Sequence, residues 1–241
     1  MSDQTTTEKT TTENPTVEEL MAFLYYKTFK CPVCNMEFMD VLVRKSKLRQ
    51  ESVERDFRVN YQVIDPNLYE VTLCGHCGYA ALGSYFDKIL GKQQDLIKEK
   101  ISPNYKHAEH DIPFSLSTAM SRYKQALACA HAMSAKSSMK AIICLKMAWI
   151  CRDAKDEKGE LTLIRLAYTA LKEAYISENF PLGTMDEPTA KYMIAEMARR
   201  LGEFDEALKM IGDVIVSRAT PAAIKNKAQD LKDLIKEQKG A

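Results

Sequence analysis

The sequence predicts an α+β fold in which a small β module is followed by a longer all-α region. Two pairs of cysteines with two-residue spacers, Cys31 with Cys34 and Cys74 with Cys77, lie in the first third of the chain. Apolar and polar residues alternate between these pairs, which is the period of a strand with one buried face. From about residue 80 onward the apolar period is helical, and only 9 glycines and 8 prolines interrupt the 241 residues.

Composition and charge exclude several classes of protein. The chain has 34 Lys plus Arg against 33 Asp plus Glu, so its bulk charge of +1 is not that of a strongly basic nucleic-acid binder. Hydrophobic residues make up 46% and charged residues 28%, as in a globular protein rather than a disordered one. No stretch approaches the roughly 20 apolar residues of a membrane helix. Because no apolar leader opens the sequence, we expect a cytoplasmic protein without structural disulfides.

The chain is predicted to begin with a disordered tail over residues 1–15, which are rich in threonine. Thr16 and Glu19 then match a capping box, in which a hydroxyl and a carboxylate each bond a backbone amide of the first turn. A short helix over residues 17–25 is therefore predicted. This helix opens the first domain, which we place at residues 16–80.

Strands are predicted next, over residues 57–63 and 69–73, where apolar and polar residues alternate. Asp-Pro-Asn at residues 65–67 favours a turn between them. The simplest interpretation is an antiparallel hairpin that ends at Cys74. Residues 38–43 are a weaker candidate for a third strand.

The second domain, at residues 81–241, is predicted to be helical. The pattern Tyr-x-x-Ala-Leu at residue 123 recurs as Phe-x-x-Ala-Leu at residue 204, 81 residues later, which is about two periods of a helical-repeat protein. An ordinary helical bundle is the alternative. The predicted helices cover residues 80–100, 116–133, 138–152, 161–178, 188–201 and 204–217, and a last one starts at Thr220 and Pro221.

The four paired cysteines are the strongest chemical signal in the sequence. A two-residue spacer lets Cys31 and Cys34, and likewise Cys74 and Cys77, direct both thiolates at one centre. Four such ligands form the tetrahedral set of a structural zinc site, with no position left for a reactive water. A thioredoxin-like redox pair and a metal-free set of buried thiols are the alternatives. His76 lies inside the second pair and is expected to be exposed rather than to replace a cysteine.

The predicted fold is therefore a small zinc-ribbon-like β module followed by an all-α, tetratricopeptide-like helical repeat domain. The two parts are expected to have separate cores, one organised by Zn²⁺ and one by apolar side chains. Asn35 and Gly78, directly after the cysteine pairs, suit the left-handed backbone that closes such a turn. Free cysteines are usually buried, so core packing is expected for the other three, Cys129, Cys144 and Cys151.

A basic run beside the cysteine pairs is the second candidate site. Arg44, Lys45, Lys47 and Arg49 carry no acid between them and suit contacts to nucleic-acid phosphates. Acidic residues follow at once, so a solvated surface is the competing interpretation. The two histidines in His-Ala-Glu-His at residues 107–110 are spaced too closely for a metalloprotease helix and are expected in a loop.

The sequence resembles the domain of unknown function 2225 family over roughly residues 26–215. This resemblance implies a cysteine-rich N-terminal module followed by tetratricopeptide-like helices, with the four paired cysteines as its site residues. The sequence departs from the expected pattern at Gly75, where proline is usual. The residues that carry the resemblance are Cys31-Pro-Val-Cys34, Phe38, Arg44, Arg49, Asp56-Phe57, Tyr61, Pro66, Tyr69 and Cys74-x-x-Cys77-Gly78-Tyr79-Ala80.

These observations predict a non-enzymatic interaction or adaptor protein with one structural Zn²⁺. The helical repeats would bind a protein or peptide partner, and no membrane contact is expected. No phosphate-binding glycine loop or nucleophile elbow occurs in the sequence. The alternative is a nucleic-acid-binding zinc-ribbon protein that uses the basic run at residues 44–49. A metalloenzyme is a third hypothesis, and it requires an open coordination position.

Overall fold

The computed structural model describes residues 15–240, so the predicted tail lies outside the described residues except for Pro15. The fold is mixed, with one short helix and three short antiparallel strand pairs in the N-terminal third and the longer helices after them. The strand pairs are β1 Leu24–Lys30 with β2 Glu37–Val43, β3 Gln50–Val53 with β4 Val59–Tyr61, and β5 Val71–Leu73 with β6 Ala80–Leu82. The helices are α1 Val17–Met21, α2 Gly91–Lys100, α3 Leu116–Ala132, α4 Ser137–Asp153, α5 Glu157–Ser177, α6 Glu187–Arg200, α7 Phe204–Val216 and α8 Ala222–Gly240.

The predicted hairpin between residues 57–63 and 69–73 is wrong. β4 pairs with β3, and β5 pairs with β6, so the two predicted partners belong to different ladders. The Asp-Pro-Asn segment starts a turn of 3-10 helix, because the Asp65 carboxylate accepts the Asn67 amide at 2.8 Å and caps it. The weaker strand prediction at residues 38–43 is confirmed as β2.

Two predicted helices are shorter in the structure. The capping box at Thr16 is present, but α1 ends at Met21 and β1 begins at Leu24. Of the predicted helix over residues 80–100, only α2 Gly91–Lys100 is α-helical. The first residues of this segment instead form β6, which pairs antiparallel with β5. β6 therefore spans the predicted domain boundary at residue 80.

The long helices pack in chain order, and three of their connections use the same turn. Ser134, Lys155 and Gly202 each have a left-handed backbone, with φ of 50°, 56° and 76°. The amide that follows each of them donates to the carbonyl five residues earlier, over 2.8, 2.9 and 2.8 Å. This is the Schellman arrangement that closes a helix C-terminus. The sequence predicted only the turn at Gly202, because serine and lysine, unlike glycine, are not typical of a left-handed backbone.

The expectation of two separate cores is wrong. One apolar cluster contains Cys31, Val33 and Cys74 from the strand region together with fully buried residues of α3 and α4, among them Tyr123 and Ile143. A second cluster is formed by residues of the five helices from α4 to α8. A third, smaller one lies beneath the β1–β2 hairpin. The strand region and the first helices are therefore held by the same buried surface.

A buried ionic network fixes the β3–β4 hairpin to the helices. Arg58, 6% exposed, bonds the Asp153 carboxylate at 2.6 Å and the Trp149 carbonyl at 3.3 Å. Asp56, 3% exposed, accepts from the Trp149 indole at 2.9 Å and from Arg152 at 2.6 Å. Burial alone would raise the pKa of Asp56, but the hydrogen bond and charge of Arg152 outweigh it and hold the pKa below 3.8.

Candidate metal centre

Each cysteine pair forms the reversal of its own hairpin. The Cys31 amide donates to the Met36 carbonyl at 2.9 Å, and the Asn35 amide returns to the Cys31 carbonyl at 2.9 Å. The second pair repeats this pattern, with Cys74 in place of Cys31 and Gly78 in place of Asn35. The predicted left-handed residues are confirmed, with φ of 62° at Asn35 and 76° at Gly78. Each turn thus leaves both thiols of its pair on the same side of the chain.

The two turns meet tip to tip, so that all four Sγ atoms lie within 4.8 Å of one another. The Sγ atoms of Cys31 and Cys77 are 3.6 Å apart, and those of Cys34 and Cys74 are 3.7 Å apart. Zn–S bonds of about 2.3 Å in a tetrahedron require S···S edges of about 3.8 Å. All seven cysteines are free thiols, so no disulfide competes for these positions. The four sulfurs therefore fit a tetrahedral, thiolate-binding metal ion.

The thiols cannot all ionise without a cation between them. The hydrogen bond with Cys31 lowers the pKa of Cys74, whereas the hydrogen bond with Cys74 raises the pKa of Cys31, and that with Cys31 raises the pKa of Cys77. One thiolate is thus stabilised by neighbouring S–H donors and opposes the next ionisation. A divalent cation removes this conflict, because it takes the place of the protons.

Helix α3 supports the second turn from behind. The Gln125 side chain donates to the Gly78 carbonyl at 2.7 Å, and the Cys129 thiol lies 3.4 Å from the same oxygen. The Ala80 amide in turn donates to the Cys129 sulfur at 3.4 Å. The prediction that Cys129, Cys144 and Cys151 are buried is confirmed. Cys129 also contacts the turn of the second cysteine pair, a role that a single helical cysteine does not reveal in sequence.

The segment after α2 covers the same turn. A Cβ at Gly78 would lie 2.3 Å from the Tyr105 ring, and one at Gly75 would lie 2.9 Å from the His107 ring. The prediction that residues 107–110 belong to a loop is confirmed. His76 is exposed as expected, with Nε2 3.2 Å from the Glu37 carbonyl.

An ion pair that sequence analysis missed joins the two hairpins to α3. Asp40 and Arg122 are both 6% exposed and bond each other directly. Arg122 also donates to the Val71 carbonyl at 2.8 Å, and Asp40 accepts the Leu73 amide at 3.2 Å. An acid in the middle of a strand with apolar neighbours was the available signal, because a buried carboxylate requires a partner.

The basic run does not act as one unit. Arg44 and Lys45 line a cleft beside β1, whereas Lys47 donates to the Ala22 carbonyl at 2.9 Å. Arg49 donates to the Leu48 carbonyl at 3.1 Å. Nucleic-acid binding through these four residues remains a prediction.

Fold and site together define a class: a mixed α+β protein with a four-cysteine cluster that is able to hold a metal ion and is shared between two hairpins, with three of its cysteines buried and Cys34 half-buried. None of the helices within residues 15–240 combines the length and the apolar character needed to cross a bilayer. A family model described as "Uncharacterized protein conserved in bacteria (DUF2225)" matches residues 24–235, and the chain belongs to this family. Comparison with curated proteins and with solved structures gave no match.

Proposed function

We propose that this protein is a non-enzymatic, zinc-stabilised adaptor whose helical region binds a protein or peptide partner. The observation that carries the proposal is the closed geometry of the four cysteines. Their sulfur atoms lie close enough together to supply all four ligands of a tetrahedral ion, which would leave no coordination position for water or substrate. The role that follows for the metal is structural.

Zn²⁺ is the proposed ion because of the donor set. Soft thiolates select Zn²⁺, Cu(I) or iron–sulfur clusters, and a single tetrahedral four-thiolate site is typical of structural Zn²⁺. The strand pairs that carry the cysteines at their turns support a zinc-ribbon-like module. Cys31 and Cys74 are fully buried, which suits a site that contributes to folding rather than to chemistry.

The helical region supports the interaction half of the proposal. Its helices pack in chain order and its turns at Ser134, Lys155 and Gly202 repeat one geometry, as in tetratricopeptide-like arrays that leave a face for partners. Large apolar side chains also remain in solvent: Ile176 at the end of α5 is 82% exposed, and Val216 at the end of α7 is 77% exposed.

Metal content and coordination test the structural-zinc part of the proposal. We expect one Zn²⁺ per chain by elemental analysis of the purified protein. Cobalt substitution should give the absorption of a four-sulfur site, with strong thiolate charge-transfer bands. A substoichiometric metal content, or a cobalt spectrum with a nitrogen or oxygen ligand, would contradict the closed site.

A pull-down from a native bacterial lysate tests the proposal that the helical region binds a partner. The full chain should capture the same partner in repeated experiments, and the double variant Ile176→Glu/Val216→Glu should lose it. Leu90→Glu is the matched control, because Leu90 is 68% exposed but precedes the long helices. Equal capture by all three proteins, or turnover of a small molecule without any stable partner, would overturn the adaptor proposal.

A further inference from the structure

A second site candidate is the cleft of about 930 Å³ between the β1–β2 hairpin, the turn after β6 and helix α4. The four paired cysteines do not line it, so it is distinct from the metal centre. Small-molecule sites have volumes of roughly 300–1,000 Å³ and combine apolar walls with a few convergent polar groups. The lining of this cleft is of that kind.

The cleft is strongly basic. Lys27, Arg44 and Lys45 line it, and within residues 15–240 none of them forms an ion pair. Lys146 is the fourth cation, and it pairs at 2.6 Å with Glu70, the single carboxylate of the lining. Three cations are therefore left for a ligand. Clustered Arg and Lys of this kind suit a phosphate group, because Arg matches its oxygens in pairs and Lys adds a point charge.

Aromatic rings stand beside these cations. Tyr25, Lys27 and Phe29 alternate along β1 and so share one face of the strand. The Lys27 ammonium lies 4.8 Å from the Phe29 ring centre, and the Arg44 guanidinium lies 5.2 Å from the Tyr25 ring centre. Tyr85 adds a half-buried ring from the turn after β6. The Phe29 ring is also stacked on Phe38, with ring centres 5.7 Å apart. Tyr25 and Tyr85 are therefore the rings that suit stacking on a planar base.

A buried hydroxyl in the cleft wall has no partner. Thr72 is 1% exposed, and its Oγ1 finds no hydrogen bond within the described part of the chain. Buried polar atoms are almost always paired, so an unpaired one in a cleft points to a ligand group. Gly83 keeps the approach open, since a side chain there would start 3.5 Å from this oxygen.

We propose that this cleft binds a ligand that combines a phosphate with a planar aromatic ring, the chemistry of a nucleotide. The cations would hold the phosphate, Tyr25 and Tyr85 would stack on the base, and Thr72 would bond a polar edge. A free nucleotide and a single-stranded nucleic acid share this chemistry. The free nucleotide is favoured, because Lys47 and Arg49 bond backbone carbonyls and do not extend the cation track along the chain.

Isothermal titration calorimetry on the full zinc-loaded chain tests this proposal. The probes are AMP, GMP, adenosine, inorganic phosphate and a ten-residue oligothymidylate. We expect a nucleotide to bind more tightly than adenosine or phosphate. Arg44→Ala should weaken this binding about tenfold or more, as for the loss of a charged hydrogen bond. Lys47→Ala, in the same basic run but outside the cleft, should leave it unchanged.

Tyr85→Leu separates the two halves of the ligand, because it should weaken nucleotide binding and leave phosphate binding unchanged. The zinc content and melting temperature of each variant show that it is folded, so a failure here is distinct from a failure of the adaptor proposal. No nucleotide binding at millimolar concentration, or equal loss in Arg44→Ala and Lys47→Ala, would overturn the site. An oligothymidylate that binds far more tightly than either nucleotide, with a steep salt dependence, would overturn the free nucleotide as its occupant.

Discussion

Loss of the metal should unfold the first long helices together with the strand region. The perturbation is Cys74→Ser, which removes one of four ligands at a position that is fully buried. The sequence favoured an independent helical core that would survive this change. The structure favours the opposite outcome, because residues around the cysteines and residues of α3 and α4 belong to one apolar cluster.

The magnitude follows from what α3 loses when the two turns separate. Breaking the buried pair of Asp40 and Arg122 costs about 3–5 kcal/mol. The hydrogen bonds from Gln125 to Gly78 and from Ala80 to Cys129 are worth about 1 kcal/mol each. The sum, about 5–7 kcal/mol, is comparable to the whole stability of a typical domain, about 5–15 kcal/mol. It comes on top of the zinc-binding free energy itself, roughly 10–16 kcal/mol in small metal domains.

The assay uses Trp149, the single tryptophan of the chain, which lies in α4 and is distant in sequence from the four paired cysteines. Thermal unfolding is followed by helical circular dichroism and by Trp149 fluorescence, with zinc content measured beside it. Cys74→Ser should lose zinc and shift both transitions together. Cys144→Ala is the control, because Cys144 is buried in the apolar cluster of helices α4 to α8 and not in the one around the paired cysteines. This variant should retain its zinc. A zinc-free Cys74→Ser protein with an unchanged Trp149 transition would refute the shared core.

Three further changes test the supporting contacts. Arg122→Leu should lower the free energy of unfolding by about 3–5 kcal/mol in urea, because Asp40 stays buried without its partner; a loss below 1 kcal/mol would contradict this. Asp56→Asn should cost about 3 kcal/mol at pH 7. Since the folded pKa of Asp56 lies below its ordinary 3.8, this stabilisation is complete above that value and disappears as pH falls through the folded pKa. The free energies of unfolding of the wild-type protein and of Asp56→Asn, measured in urea from pH 7 to 2, should therefore converge at low pH. A constant difference would argue against ionic stabilisation. Gly78→Ala should cost about 2 kcal/mol or more, because φ is 76° there, whereas Gly212→Ala in α7, with open space around it, should be neutral or stabilising.

The cysteine cluster was predictable because the short spacing within each cysteine pair indicates metal ligands. Two residues between Cys31 and Cys34 fix a turn, and the same spacing at Cys74 and Cys77 fixes a second one. The long helices were predictable for a similar reason, since amphipathic periods and caps act within a few residues of each other. Left-handed turns at Ser134 and Lys155 were not, because tertiary packing overrides the preference of these residue types.

Strand partners were not predictable, because pairing is a long-range choice that alternation does not encode. Residues 57–63 and 69–73 each have the right period for a strand, but period says nothing about which neighbour completes the ladder. β5 pairs instead with β6, the segment after the second cysteine pair, because the cysteine turn reverses the chain at Cys74. The same limit hid Asp40 and Arg122, whose contact joins residues 82 positions apart.

The long gap between the two cysteine pairs has a physical explanation in these contacts. A hairpin on each pair needs only a few residues of strand, so most of the 39 intervening residues are not required for the metal. They carry β3 and β4 to the helices, where Asp56 and Arg58 bond groups on α4, and then return to the second pair. The segment therefore ends in the two cysteine turns and is held in its middle by α4. A metal ion at its ends would limit the motion of the middle, which makes the cysteine cluster a restraint on the helical region and not only on its own strands.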